Sequence, residues 1–281
     1  MANVLILSSQ VARGHVGGST TRLVLEALGH EAWLVPTILL SNHPAHAAVA
    51  GEPVPARQIG GMVEALDANG WLGALDAVFT GYMPTPEHVR EAAAAIRLVC
   101  ERNAAVRICC DPILGDDPGG LYVSKASARA LAEELVPLAH VVTPNRFELE
   151  WLAGLPVRSI SDALAAAGSL ADQVTVATSI PGENVAVLHN VLAAPGLGLE
   201  SAHDKRSDAP HGTGDLMAAL FAGRRLLGDD LHTAFARAGG AVEAMLADHH
   251  GGDDFALAGE RQRWLNAAPC PVRAVRPATE T

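Results

Sequence analysis

The stretch Pro210-His211-Gly212-Thr213-Gly214-Asp215 is followed by the apolar run LMAALFAGRRLL, which reads as a helix. Two glycines let the backbone turn tightly and present its amides, and the helix start adds the positive end of its dipole. Such a turn binds anions. The oxygens of a phosphoryl group in transit carry charge that preorganised amides stabilise, and a carboxylate in the first helical turn can accept a proton from an attacking hydroxyl. Gly212, Thr213 and Gly214 are therefore the candidate anion hole and Asp215 the candidate base. The dipole is expected to keep Asp215 ionised at neutral pH and hence a weak base, adequate where proton transfer comes late. A plain helix start, with Asp215 satisfying the dipole, accounts for the same residues without chemistry.

Two acidic stretches follow β-branched runs. In Thr143-Pro144-Asn145-Arg146-Phe147-Glu148, a helix starting at Asn145 puts Asn145 and Glu148 on one face, where they can hold hydrated Mg²⁺ near nucleotide phosphates. The same pair fits a cap, with Asn145 as N-cap and Glu148 closing the box. One pair can do both. In Cys110-Asp111-Pro112-Ile113-Leu114-Gly115-Asp116, Asp111 and Asp116 offer hard oxygen ligands or counter-charges at a turn.

These groups must be positioned by the elements around them. Short apolar runs at 3–7, 32–35, 76–80, 106–110, 140–143 and 174–178 read as strands. Segments of helical period lie between them at 20–28, 59–69, 86–101, 124–135 and 161–170. The alternation predicts an α/β fold with a mostly parallel sheet. Residues 36–55, rich in Pro, His and small residues, read as a loop lying over the carboxyl ends of the strands, where ligands gather. Residues 185–208 read as edge strands plus a mobile loop, and the tail 267–281 as poorly ordered. With 281 residues and 49% hydrophobic content, a single domain, 1–281, is expected.

Composition excludes several classes. A formal charge of −11 and no Lys/Arg cluster argue against nucleic-acid partners. No apolar run is long enough to span a bilayer, and the start MANVLILSSQ lacks a basic leader, so no membrane partner and a cytoplasmic location are expected. Cys109 and Cys110 are neighbours on a strand, point to opposite faces and cannot share one metal.

Taken together and in this order, the three stretches resemble the ribokinase-like superfamily, specifically its pyridoxal kinases. Arg13-Gly14-His15-Val16-Gly17, Ser41-Asn42-His43 and Gly81-Tyr82 extend the likeness over roughly 4–223. The resemblance implies an α/β/α sandwich with little or no lid, phosphorylation of the 5′-hydroxymethyl group of pyridoxal, ATP as co-substrate, Mg²⁺, a monovalent cation such as K⁺, and a homodimer. It implies a nucleotide site of Asp111, Asp116, Tyr122, Thr143, Asn145, Glu148, Thr178, Ser179 and Thr213. Glu148 and Asp111 would hold Mg²⁺ through water. Ser9, His43, Tyr82 and Asp215 would face the acceptor, a B6 vitamer. The chain departs from the pattern at Gly18 (commonly Asn), at Pro44 (commonly a Thr that contacts substrate) and at His211. Alternatives are a hydroxymethylpyrimidine kinase of the same superfamily, which usually carries Cys at the position of Asp215, and a non-catalytic pyridoxal- or nucleotide-binding protein.

Overall fold

The computed structural model describes residues 1–170, 173–206, 208–247, 249, 251 and 254–276. In chain order the strands are β1 (Asn3–Val11), β2 (Glu31–Leu40), β3 (Gly51–Pro53), β4 (Ala77–Thr80), β5 (Arg107–Cys110) and β6 (Gly115–Asp116). Then come β7 (Gly120–Leu121), β8 (Val141–Val142), β9 (Val174–Pro181), β10 (Val187–Ala194), β11 (Leu197–Asp204) and β12 (Arg273–Ala274). Ten of them form one sheet in the order β3-β2-β1-β4-β5-β8-β9-β10-β11-β12, while β6 and β7 make a separate hairpin. From β2 to β9 the pairs are parallel, and the sheet turns antiparallel at both ends.

The helices are α1 (Gly17–Ala27), α2 (Ala56–Ala68), α3 (Pro86–Arg102), α4 (Lys125–Ala130) and α5 (Arg146–Ala153). They continue with α6 (Ile160–Gly168), α7 (Thr213–Leu226), α8 (Leu231–Ala247) and α9 (Arg261–Leu265). β1 shows why they fall into two layers. Its run VLIL is at most 1% exposed: Leu5 and Leu7 pack with α2 and α3, and Val4 and Ile6 with α1 and α7. A strand apolar on both faces belongs inside a parallel sheet covered on both sides. Further along, α5 and α6 cover Ala177 and Val191 on the first face, and α7, α8 and α9 cover Val176 and Leu199 on the second. The three-layer α/β/α architecture follows. Among the described residues, no helix is long and apolar enough to cross a membrane.

Several boundaries differ from the sequence reading. Residues 36–55 are not one loop, because β2 runs on to Leu40 and β3 pairs back against it, leaving 41–50 and the short link 54–55 as loop. Pro36 is tolerated inside β2 because it sits at a register shift between Ser8 and Gln10, where the ladder does not demand its missing amide. Residues 185–208 are mostly the two long strands β10 and β11. The tail also carries structure: β12 pairs with β11, and Arg273 donates to the Glu200 carboxylate at 2.7 and 3.0 Å, with Glu200 only 2% exposed. Residues 277–281 lie outside the described residues.

Candidate active site

Parallel strands aim their carboxyl ends at one edge of the sheet, and the acidic stretches leave from those ends. Asp111 follows β5 and Thr143 follows β8. The Thr143 hydroxyl donates to Asp111 Oδ1 at 2.8 Å, both residues being buried. Asn145 caps α5 by accepting the Glu148 amide at 2.9 Å, and Glu148 Oε2 accepts the Asn145 amide at 2.9 Å, closing the box. The other Glu148 oxygen takes the amides of Leu114 and Gly115 at 2.9 and 3.4 Å, and Asn145 Nδ2 donates to Gly115 O at 2.8 Å. The cap thus ties α5 to the β6–β7 hairpin.

The glycine turn forms as its sequence demands. Gly212 is the N-cap of α7 at φ 88°, a left-handed conformation that a side chain would strain, and a Cβ there would strike His15 O at 2.4 Å. Asp215 follows in the first turn. Its Oδ1 is shut off from solvent and has no partner, and the amide of Gly17, at the start of α1, donates to the carboxylate. Burial pushes Asp215 up to about 6, against the pull of the Gly17 amide. Two helix starts therefore meet at this carboxylate. The rise makes it a stronger base than the helix dipole alone would leave it.

Between these groups lies a cavity of about 460 Å³, whose wall includes Asp111, Asp116, Tyr122, Thr143, Asn145, Glu148, Thr178, Ser179 and 212–215. Asp116 and Tyr122 belong to the hairpin and its exit and share a hydrogen bond. Ser179 is the one non-glycine described residue at positive φ, 61°, a strained conformation of the kind that gathers at functional sites. His43, from the 41–50 loop, also reaches the wall and stacks on His211, ring centroids 3.9 Å apart. Ser9 and Tyr82 do not line this cavity. Ser9 is buried, its Oγ 2.0 Å from where a Gly17 Cβ would stand, and the Tyr82 main chain takes hydrogen bonds with Ser8 Oγ and Thr37 Oγ1.

Known proteins resemble this chain in sequence and in fold. The family model for phosphomethylpyrimidine kinase matches residues 45–254. The chain is 32% identical to the pyridoxal kinase PdxY of Corynebacterium diphtheriae, over 85% of this chain and 87% of that one. It is 36% identical to a pyridoxine/pyridoxal/pyridoxamine kinase of Bordetella avium, over 83% and 80%. The chain belongs to the pyridoxal kinase family. The crystal structure of pyridoxal kinase from Entamoeba histolytica, at 24% identity, superposes with a TM-score of 0.91 over 98% of this chain and 100% of that one, which establishes the shared ribokinase-like fold.

Pyridoxal kinases act with a charged co-substrate, and the wall here is already acidic. Asp111 is held well above the usual carboxylate range by burial and then by the charges of Asp215 and Glu148, and Glu148 is pushed up to about 8 chiefly by burial. A dication suits three mutually repelling carboxylates. Among the described residues no three His, Cys, Asp or Glu side chains converge to ligate one directly.

The sequence reading missed part of this pyridoxal kinase site. Gly17 was visible only as part of a motif, with no role, although it supplies the amide on Asp215. The far wall comes from Leu188 and Asn190 on β10 and His203 on β11, with Met217, Val242 and Leu246. Leu188 and Asn190, two apart on β10, share one face of that strand. Arg146 and Arg206 are also on the wall: Arg146 lies inside the Asn145–Glu148 stretch but was given no role, and Arg206 lies outside every motif.

Proposed function

We propose that this protein transfers the γ-phosphoryl group of ATP to the 5′-hydroxymethyl group of pyridoxal, giving pyridoxal 5′-phosphate and ADP, with pyridoxine and pyridoxamine as further acceptors. The names of its relatives support the acceptor class. The observation that carries the reading is the unpartnered, buried oxygen of Asp215 beside the amides of the glycine turn. The acceptor oxygen attacks the γ-phosphorus in line, the bond to the β-phosphate oxygen breaks, and Asp215 takes the hydroxyl proton. Amides of Gly212, Thr213 and Gly214 hold the developing charge. Asp111, Thr143, Asn145 and Glu148 fix the edge against which the phosphates lie, and Asp116, Tyr122, Thr178 and Ser179 border the nucleotide. Mg²⁺ would neutralise the phosphates, held through water by Glu148 and Asp111. Ser9, His43 and Tyr82 are our candidates for the acceptor ring, with 41–50, the longer loop left of the 36–55 segment, as its cover. A monovalent cation such as K⁺, a homodimer, a single domain and a cytoplasmic setting complete the reading.

A second reading is a hydroxymethylpyrimidine kinase, since the matching family model, described as phosphomethylpyrimidine kinase, points to a pyrimidine acceptor. Asp215, in place of Cys, weighs against it. Purified protein given MgATP with pyridoxal, pyridoxine, pyridoxamine or hydroxymethylpyrimidine separates the cases through ADP release. Pyridoxal-dependent release is expected. Turnover of the pyrimidine alone would move the assignment, and vitamer binding without ADP would make the protein a binder.

A further inference from the structure

The cavity wall carries six carboxylates, those of Asp111, Asp116, Asp117, Glu148, Asp204 and Asp215, and two arginines, Arg146 and Arg206. A nucleoside triphosphate entering it brings more negative charge, which favours every cation within reach. Both arginines are already occupied, in different ways. Arg206 forks onto Asp208 at 3.1 Å and also donates to the main-chain oxygens of Leu246 and His249, at 2.5 and 3.1 Å, closing the end of α8. Moving it would uncap a helix. Arg146 is tied along one edge only: Nη1 donates to Glu150 Oε2 at 2.8 Å and to Val157 O at 3.2 Å. Its other edge, Nε and Nη2, forks onto the Asp117 carboxylate, with Nη2 2.7 Å from Oδ1.

Asp117 lies in the turn of the β6–β7 hairpin and its side chain is 51% exposed, whereas that of Arg146 is 19% exposed. Water partly screens a half-exposed carboxylate, so a more highly charged phosphate can compete with it for the same bidentate fork. The two Asp117 oxygens occupy the guanidinium fork as two oxygens of a phosphate would. We propose that Arg146 is a nucleotide-phosphate ligand kept on Asp117 until the nucleotide arrives, and that the phosphate takes the fork by exchange. Glu150 and Val157 keep the guanidinium in place throughout. Asp117 loses its partner in the exchange, so phosphate binding unties the hairpin that carries Asp116 and leads to Tyr122.

The inference rests on the nucleotide reading of this cavity, and titration of the whole protein with MgADP, by calorimetry, tests the two separately. Arg146→Gln should weaken MgADP binding about tenfold, the cost of one charge-assisted pair, and Arg146→Lys should recover part of the loss. Asp117→Asn should act in the opposite sense and tighten binding about threefold, since it removes the competitor. In the Arg146→Gln background, Asp117→Asn should change nothing further. The KM for pyridoxal should stay within about twofold in all of them. If the pair only pins the hairpin, both single variants weaken MgADP alike, and that result, or no shift in either, overturns the exchange. Should Arg146→Gln fail to fold, the sign of the Asp117→Asn effect decides alone. A wild-type protein that does not bind MgADP at all would overturn the nucleotide reading together with the exchange.

Discussion

Glu148 and Asp215 border the same cavity, and burial holds both above the ordinary carboxylate range, Glu148 at about 8 and Asp215 at about 6. Their partners set them apart. Glu148 has both oxygens filled by the amides of Asn145, Leu114 and Gly115. Asp215 receives the amide of Gly17 and keeps Oδ1 unpaired. Buried polar atoms are mostly satisfied, and the unpaired Oδ1 of Asp215, one of several such atoms in the fold, suits its proposed role as base. In the proposed reaction Glu148 organises and Asp215 reacts.

Removing the reactive member should have the largest effect. Asp215→Asn is expected to lower kcat by at least about 10²-fold while MgATP affinity changes little, as steady-state kinetics would show. A near-normal kcat would take away its role as base. Protonating it is a milder form of the same change. Asp215 must be ionised to accept a proton and is protonated below about pH 6, so kcat/KM for MgATP should be level above that value and fall about tenfold per unit below it. A limb near the ordinary carboxylate value would mean that burial is not felt in the working enzyme. Glu148→Gln probes the organising member. Its new amide must point at a main-chain donor, so the melting temperature should drop, by a stability loss of about 1–3 kcal/mol, together with a higher Mg²⁺ requirement. An unchanged melting curve and Mg²⁺ titration would dissolve the distinction between the two carboxylates.

What the sequence disclosed follows the range of the forces involved. The glycine turn at Gly212 and the Asn145–Glu148 cap are local, decided within a few residues by φ preference and side-chain reach, and both stand as read. The parallel core was equally legible, since strands buried on two faces leave continuous apolar runs. Contacts between distant segments left no such trace. The Gly17 amide on Asp215, the stack of His43 on His211 and the wall built by β10 and β11 arise only once the sheet has brought separate strands and loops together. Pro36 misled for the opposite reason: it breaks strands by default, and only the register shift beside it makes it acceptable.

The last strand among the described residues carries a practical lesson. From Ala267 on, the composition invites trimming or replacement by a purification tag. Yet Arg273 is a counter-ion of Glu200, a carboxylate 2% exposed on β11, two strands from the parallel core. Cutting ahead of it would bare the edge of β11 and leave that buried charge without its arginine in the same stroke. A shortened version made for crystallisation or assay would carry that damage into a strand that forms part of the cavity wall, where it would pass for a defect in the active site.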